Sequence, residues 1–250
     1  MLECRCFCGW AGSAWSGVRL QSLAVFVRSI GKPNSCSTST TMSMCQHLIL
    51  VRHGESDHLV NATTGGWSES PLTPRGKTQA QATGQALAAK LRDDTVGFYA
   101  SDLPRAQQTA EVIGRAIHMA PVWCPALREL NNGVARNTPL AEAERLHLPV
   151  TEPVIDWVPY PEAESWGMMA RRVMTWMERM VSGVQRETML IVSHSHAMVA
   201  MVHWWLGLQE PYFSRVSYTF DCCSITELTM NRWGERTIAR LNDTAHLQGV

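Results

Sequence analysis

The chain has 250 residues, 45% hydrophobic and 18% charged, a composition that predicts a globular protein with a core of its own. Its 22 basic and 22 acidic residues cancel. That balance does not suggest the basic stripe of a non-specific nucleic-acid or membrane-surface binder, so an anionic ligand would have to meet a local cluster of arginines. No uninterrupted apolar run reaches the ~18 residues of a transmembrane helix.

Residues 1–45 stand apart from the rest. They are rich in Ser, Thr, Cys and Gly, almost free of acids, and carry Arg5, Arg19, Arg28 and Lys32. This composition fits a disordered leader, and three origins are open: an organelle transit peptide, a weak secretion signal, or residues ahead of a true start at Met42 or Met44. The last is favoured, and mass spectrometry of the native N-terminus tests it. Cys4, Cys6, Cys8, Cys36 and Cys45 fall in this stretch, leaving only Cys124, Cys222 and Cys223 beyond it. Reduced thiols in a cytoplasmic protein are the expectation, with organelle targeting as the alternative. CRCFC lacks the CxxC spacing of a strong zinc site.

From residue 46 onward, strands and helices alternate. Residues 46–52 form a buried strand. SPLTPRGKTQAQATGQALAAKL is a turn and a helix, with Thr73 as N-cap and Pro74 in the first turn. TVGFYASD is a second strand, and PRAQQTAEVIGRAI a helix opened by Pro104. A short helix is expected near 138–146, and a long amphipathic one in EAESWGMMARRVMTWMERMVSGV. TMLIVSH is a third strand, followed by a buried helix, AMVAMVHWWLGL, ending at Gly207. SRVSYTF, SITELTM and RTIARLN are expected as closing strands, the last two joined across NRWGE. This alternation predicts an α/β fold: a three-layer sandwich with a mostly parallel central sheet between helices.

In such sheets ligands bind at the carboxyl ends of the strands. Three strands here end in reactive residues: LVRH, YASDLPR and IVSH. A histidine at one strand end is more often a packed or capping residue than a catalyst. Three such ends at one sheet edge are harder to assign to chance. HSH at 194–196 could also ligate a metal, but that needs further ligands on other strand ends.

LVRHGES, SPLTPRGKTQAQATG, ASDLPRAQQTAEVI, LREL and VSHSHAMVAMVHWWLGL, in this order, resemble the histidine phosphatase superfamily, the phosphoglycerate mutase-like family. The match runs from about residue 47 to the end, which makes 46–250 the expected histidine phosphatase domain. The resemblance implies that His53 is the nucleophile and becomes a phosphohistidine. Arg52 and Arg105 bind the substrate phosphate, and His194 completes the catalytic set. Glu129 of LREL donates the proton to the leaving group, with Glu164 of PEAES as the alternative acid. No cofactor and no metal are implied. Relatives often continue the LREL segment with acidic and aromatic residues and follow the VSH histidine with glycine. Here ELNNGVARN, and Ser195 and His196, stand at those places. Glu55 and His246 are expected to be structural. Trp67, Trp157 and Trp166 fall in segments bordering the site, where they stack on a substrate or pack.

These residue types suit the chemistry. Phosphoryl transfer needs in-line positioning and positive charge on the equatorial oxygens. Arginine offers a planar fork of donors and keeps its charge. Nearby arginines also disfavour a protonated histidine and so leave it nucleophilic. Mutases of the family resemble RHGESxWNxxNRxxGW. Ungapped against it, Leu59 takes the asparagine position and Thr63 the arginine position. The expectation is therefore a phosphomonoester hydrolase acting on a small phosphorylated metabolite, without nucleic-acid or membrane partners. A cofactor-dependent phosphoglycerate mutase and a non-catalytic phosphate-binding relative are the alternatives.

Overall fold

β1 (His47–Arg52) carries the apolar run, and its four central residues are buried. In the computed structural model, which describes residues 45–91, 96–183 and 188–250, these four divide between two cores. Leu48 and Leu50 pack with Met169, Val173, Met177 and Trp205 on one side. Ile49 and Val51 pack with Leu87, Ala106, Ala110 and Ile113 on the other. Successive strand side chains point to opposite faces, so a strand apolar at every position must be covered on both.

The remaining strands are β2 (Val96–Ala100), β3 (Val122–Trp123), β4 (Thr188–Ser193), β5 (Ile225–Met230) and β6 (Arg236–Asp243). They form one sheet in the order β3-β2-β4-β1-β5-β6. The first four in that order run parallel, and β5 and β6 are antiparallel. The helices are α1 (Asp57–Val60), α2 (Pro74–Lys90), α3 (Pro104–Ile117), α4 (Leu140–Ala143), α5 (Trp166–Gly183) and α6 (Ser195–Leu206). α2 and α3 cover one face, and α5 and α6 the other. The expected three-layer α/β architecture is the one observed.

Local signals set the helix ends. Thr73 Oγ1 accepts the Gly76 N–H at 3.0 Å, with Pro74 next in the chain, so α2 starts where its cap dictates. Gly207 ends α6 in the left-handed region at φ 67°. Two expectations change. SRVSYTF is not a strand: the N–H groups of Arg215 and Val216 turn back to the Tyr212 carbonyl at 3.0 Å. Both edges of β5 are already paired, with β1 and β6, so no ladder is open to it there. β3, two exposed residues on the far edge, was not expected, because so short a segment carries no periodicity. The leader expected in residues 1–45 and its CRCFC pattern lie outside the described residues, apart from Cys45.

One backbone contact ties α2 beneath the motif. A Cβ at Gly54 would lie 2.6 Å from the Gly76 carbonyl oxygen, and one at Gly76 would lie 2.0 Å from that of Glu55. Only glycine permits this approach at residue 76, because backbone cannot give way as a side chain can. Gly76→Ala should cost about 2 kcal/mol by forced overpacking. Thermal denaturation should register that as a Tm lower by ~4–8 °C.

Candidate active site

The register of the sheet delivers the site. Arg52 ends β1 opposite Ser193, the last residue of β4, and the His53 N–H continues the ladder to the Ser193 carbonyl at 2.9 Å. Ser101, just past β2, bonds in the same way to Val192 at 3.0 Å. Arg52, His53, Ser101 and His194 therefore emerge together at one carboxyl edge, where open α/β sheets bind ligands. Arg105 reaches the same point from the first turn of α3, two residues into a helix that begins at Pro104.

His53 is held in one tautomer. Its Nδ1 lies 2.7 Å from the Gly54 carbonyl oxygen and must donate to it. Nε2 is left with its lone pair, on which Arg105 Nε donates at 3.2 Å. The Gly54 N–H in turn rests on Thr109 Oγ1 at 3.0 Å. Burial, then the charges of Arg105 and Arg52, hold the imidazole well below its ordinary pKa. His53 is thus neutral, with a buried, oriented and unprotonated nitrogen.

The cations are fixed from behind. Arg105 is 1% exposed and donates to the carbonyls of Gly66 at 2.8 Å and Ser68 at 3.3 Å. Burial pushes its pKa down to about 10, which still leaves it charged at neutral pH. Arg52 Nη1 donates to the Phe220 carbonyl at 2.5 Å, and its Nε is buried with no partner among the described residues. The segment expected as a strand, ending in Phe220, thus supplies an anchor for Arg52 instead.

His194 lies beside His53 with ring centroids 5.1 Å apart, and its Nε2 meets Ser101 Oγ at 2.8 Å. Burial, with Arg105, His53 and Arg52 nearby, holds it well below its usual pKa, so the positive charge around His53 comes from the two arginines. His194 Nδ1 is buried without a partner among the described residues. The two histidines of HSH part company: His194 turns to Ser101, and His196 to Glu129. Among the described residues no group of three or more His, Cys, Asp or Glu is placed to hold a metal ion.

A cavity of about 400 Å³ opens over this edge, lined by Arg52, His53, His58, Arg105, Glu129 and His196 among others. Glu129 sits on a braced loop. Trp67 Nε1 donates to its carbonyl at 2.7 Å, and Arg172 of α5 reaches the same carbonyl at 3.2 Å and that of Ala126 at 2.9 Å. Glu164, the alternative acid, is engaged elsewhere. It grips Arg172 at 2.7 and 2.9 Å, accepts the Asn131 N–H at 3.1 Å, and does not line the cavity. Burial opposes ionisation of Glu129. The charge and hydrogen bond of His196, the Leu130 N–H and Arg105 outweigh it and bring the carboxyl down to about 2.

Glu55 bonds Thr73 Oγ1 and Arg75, and His246 bonds Thr83 and the Cys223 carbonyl. Neither lines the cavity. Trp67 packs under Arg128, Trp157 stands edge-on to His147, and Trp166 packs on Phe213.

His58 was missed. It is buried at 9% exposure, lines the cavity, and its ring lies 6.0 Å from that of His53, with Nδ1 between the hydroxyls of Ser56 at 3.0 Å and Ser70 at 3.2 Å. Burial, then Arg105 and Arg52, lowers it to about 4. Its signal was its place one helical turn beyond the motif.

His53, His58 and His194 are all held neutral in the fold, whereas in the unfolded chain each binds a proton near pH 6.5. The unfolded state therefore binds more protons as pH falls below that value, and folding stability must drop. Each histidine contributes a slope of up to about 1.4 kcal/mol per pH unit. His196, whose pKa is raised by the Glu129 charge, acts in the opposite sense and only above its unfolded value. Urea unfolding at pH 7, 6 and 5 should show stability falling with acid. A flat series would contradict the buried neutral cluster.

Taken together, these elements define an α/β protein with an oriented, unprotonated imidazole under two arginines at the carboxyl edge of its sheet. The profile of the histidine phosphatase superfamily (branch 1) matches residues 48–244, and the chain belongs to that family. It is 29% identical over 211 residues to the probable phosphoglycerate mutase GpmB of Proteus mirabilis, covering 80% of this chain and 94% of that one. The Erwinia tasmaniensis protein of the same name is 34% identical over 163 residues, 64% of this chain and 74% of its own. Among solved structures, a mycobacterial glucosyl-3-phosphoglycerate phosphatase with VO3 superposes with a TM-score of 0.67 at 22% identity, over 80% of this chain and all of its own. A putative alpha-ribazole-5'-P phosphatase from Escherichia coli gives 0.65 at 22%, over 80% and 97%. No described helix is long and apolar enough to cross a membrane.

Proposed function

We propose that this protein is a metal-independent phosphomonoester hydrolase that works through a phosphohistidine on a small phosphorylated metabolite. The observation that carries the chemistry is the state of His53: neutral, its Nδ1 on the Gly54 carbonyl and its Nε2 beside the guanidinium of Arg105. Nε2 attacks phosphorus. Arg52 and Arg105 stabilise the charge on the equatorial oxygens. His194 offers Nδ1 to the same group, and Glu129 protonates the departing oxygen. Glu129 then takes a proton from the water that hydrolyses the phosphohistidine.

The curated relatives carry the name of a mutase, and phosphoglycerate mutase is the second reading. Hydrolysis is favoured by the cavity wall. A mutase must hold a bisphosphorylated intermediate, and so needs cations beyond the first phosphate. Here Leu59, Ala62, Leu130 and Leu140 stand among the lining residues, and Arg52 and Arg105 are its arginines and lysines. Thr63 lines the cavity where the mutase motif has arginine. Purified protein given 3-phosphoglycerate and catalytic bisphosphoglycerate should release inorganic phosphate without forming 2-phosphoglycerate. Isomer formation outpacing phosphate release would reverse the assignment.

A further inference from the structure

We propose that His196 is the proton-supplying and positioning partner of Glu129, so that the acid of this site is a carboxylate–imidazolium pair rather than a lone carboxyl. This rests on the phosphatase reading above.

The geometry is specific. His196 is the second residue of α6, and it meets Glu129 twice. Its Nδ1 lies 3.4 Å from Oε1, and its backbone N–H points to Oε2 at 3.4 Å. The Leu130 N–H fixes Oε1 from the other side at 2.9 Å. The two side chains differ in access: that of Glu129 is 13% exposed, that of His196 55%. Both line the cavity that holds Arg52, His53 and Arg105. A buried carboxylate is thus connected to solvent through an exposed imidazole.

This arrangement resolves a conflict within the site. A proton donor must carry a proton, yet the surroundings of Glu129 keep it ionised at neutral pH. The Glu129 charge, first of all, raises the pKa of His196, so a proton brought to the pair rests on the imidazole rather than on the carboxylate. A phosphate dianion entering beside Glu129 disfavours the carboxylate and draws that proton across.

In the first half-reaction His53 Nε2 bonds to phosphorus as the P–O ester bond breaks, and its electron pair stays on the ester oxygen. That oxygen takes the one proton of the pair, which Glu129 has received from His196 Nδ1, leaving Glu129 a carboxylate and His196 neutral. In the second half, water attacks phosphorus and the P–N bond pair returns to Nε2. The water proton passes to Glu129 and on to His196. The sum is ester plus water to alcohol plus phosphate, with the pair restored.

The groups facing the pair are Arg52 and His53 at the end of β1, His58 on α1, Arg105 on α3, and Arg172 of α5 behind the Glu129 carbonyl, while His194 at the foot of α6 turns to Ser101. His53, His58 and His194 are held below their ordinary pKa, whereas His196 is held above it, so among these histidines the proton of the pair belongs to His196.

The test is His196→Gln, with His196→Gly beside it, assayed as kcat/KM against pH on an alkyl phosphate and on p-nitrophenyl phosphate. For the alkyl ester at neutral pH the loss should be about 10–100-fold, within the range of general-acid effects, and the alkaline limb should move to lower pH. The aryl ester needs little protonation and should lose less than about threefold. Equal losses on both esters with an unmoved limb would overturn the proposal and leave a purely structural contact. Retained phosphatase activity in His53→Ala would sink the underlying reading instead, so the two failures are distinguishable.

Discussion

His53→Ala should abolish phosphatase activity, lowering kcat/KM for any phosphomonoester by at least ~10⁴, about 5 kcal/mol of transition-state stabilisation. Two separate contributions are lost. The nucleophile itself goes, and with it the covalent intermediate that splits one difficult displacement into two easier ones. No neighbour replaces it: His194 Nε2 is tied to Ser101, and His58 Nδ1 lies between two serine hydroxyls with its ring centroid 6.0 Å away. The arginines remain, so the variant should still bind inorganic phosphate, which separates loss of chemistry from loss of the site. Labelled substrate quenched during turnover should leave acid-labile, base-stable phosphate on the wild type and none on the variant. Equal turnover by the variant would remove the phosphohistidine mechanism altogether.

Glu129→Gln should slow alkyl phosphates by ~10²–10⁴ in kcat/KM, because an alkoxide cannot leave without a proton. The amide fits the same space and still accepts the Leu130 N–H, which reaches Glu129 Oε1 at 2.9 Å. Aryl phosphates should behave differently in each half of the reaction. Phosphorylation of His53 by p-nitrophenyl phosphate needs little acid help, so kcat/KM should change only slightly. Hydrolysis of the phosphohistidine still needs a base, so kcat should fall, and a burst of nitrophenol equal to the enzyme concentration should precede slow turnover. Similar kcat/KM losses on alkyl and aryl esters would remove Glu129 from the acid role. Glu164→Gln is the control, and by loosening Arg172 it should affect stability before leaving-group selectivity.

Much of this was legible in the chain. LILV could be read as doubly covered because it has no polar alternation, and Thr73–Pro74 and Gly207 marked helix ends through local backbone chemistry. SRVSYTF misled because alternation describes any extended segment with one buried side, whether or not a partner strand is free. The brace on Glu129 was out of reach: Trp67 and Arg172 lie far from it in sequence, and no pattern links them to it. His58 and His196 lay next to recognised motifs, but a histidine's role depends on which groups face its two nitrogens.

By itself the sequence determined which residues could act. Arg52, His53, Arg105 and His194 stand out by residue type and by their positions at strand and helix ends, which are local properties, and Glu129 is a candidate only through the resemblance of LREL to the family. Tertiary structure decided what each can do. The parallel register of β1, β4 and β2 brings three strand ends to one edge, burial beside two arginines makes His53 neutral, and the Gly54 carbonyl chooses which of its nitrogens keeps a lone pair. Protonation state and orientation depend on desolvation and on through-space charge, and both exist only once the chain is folded.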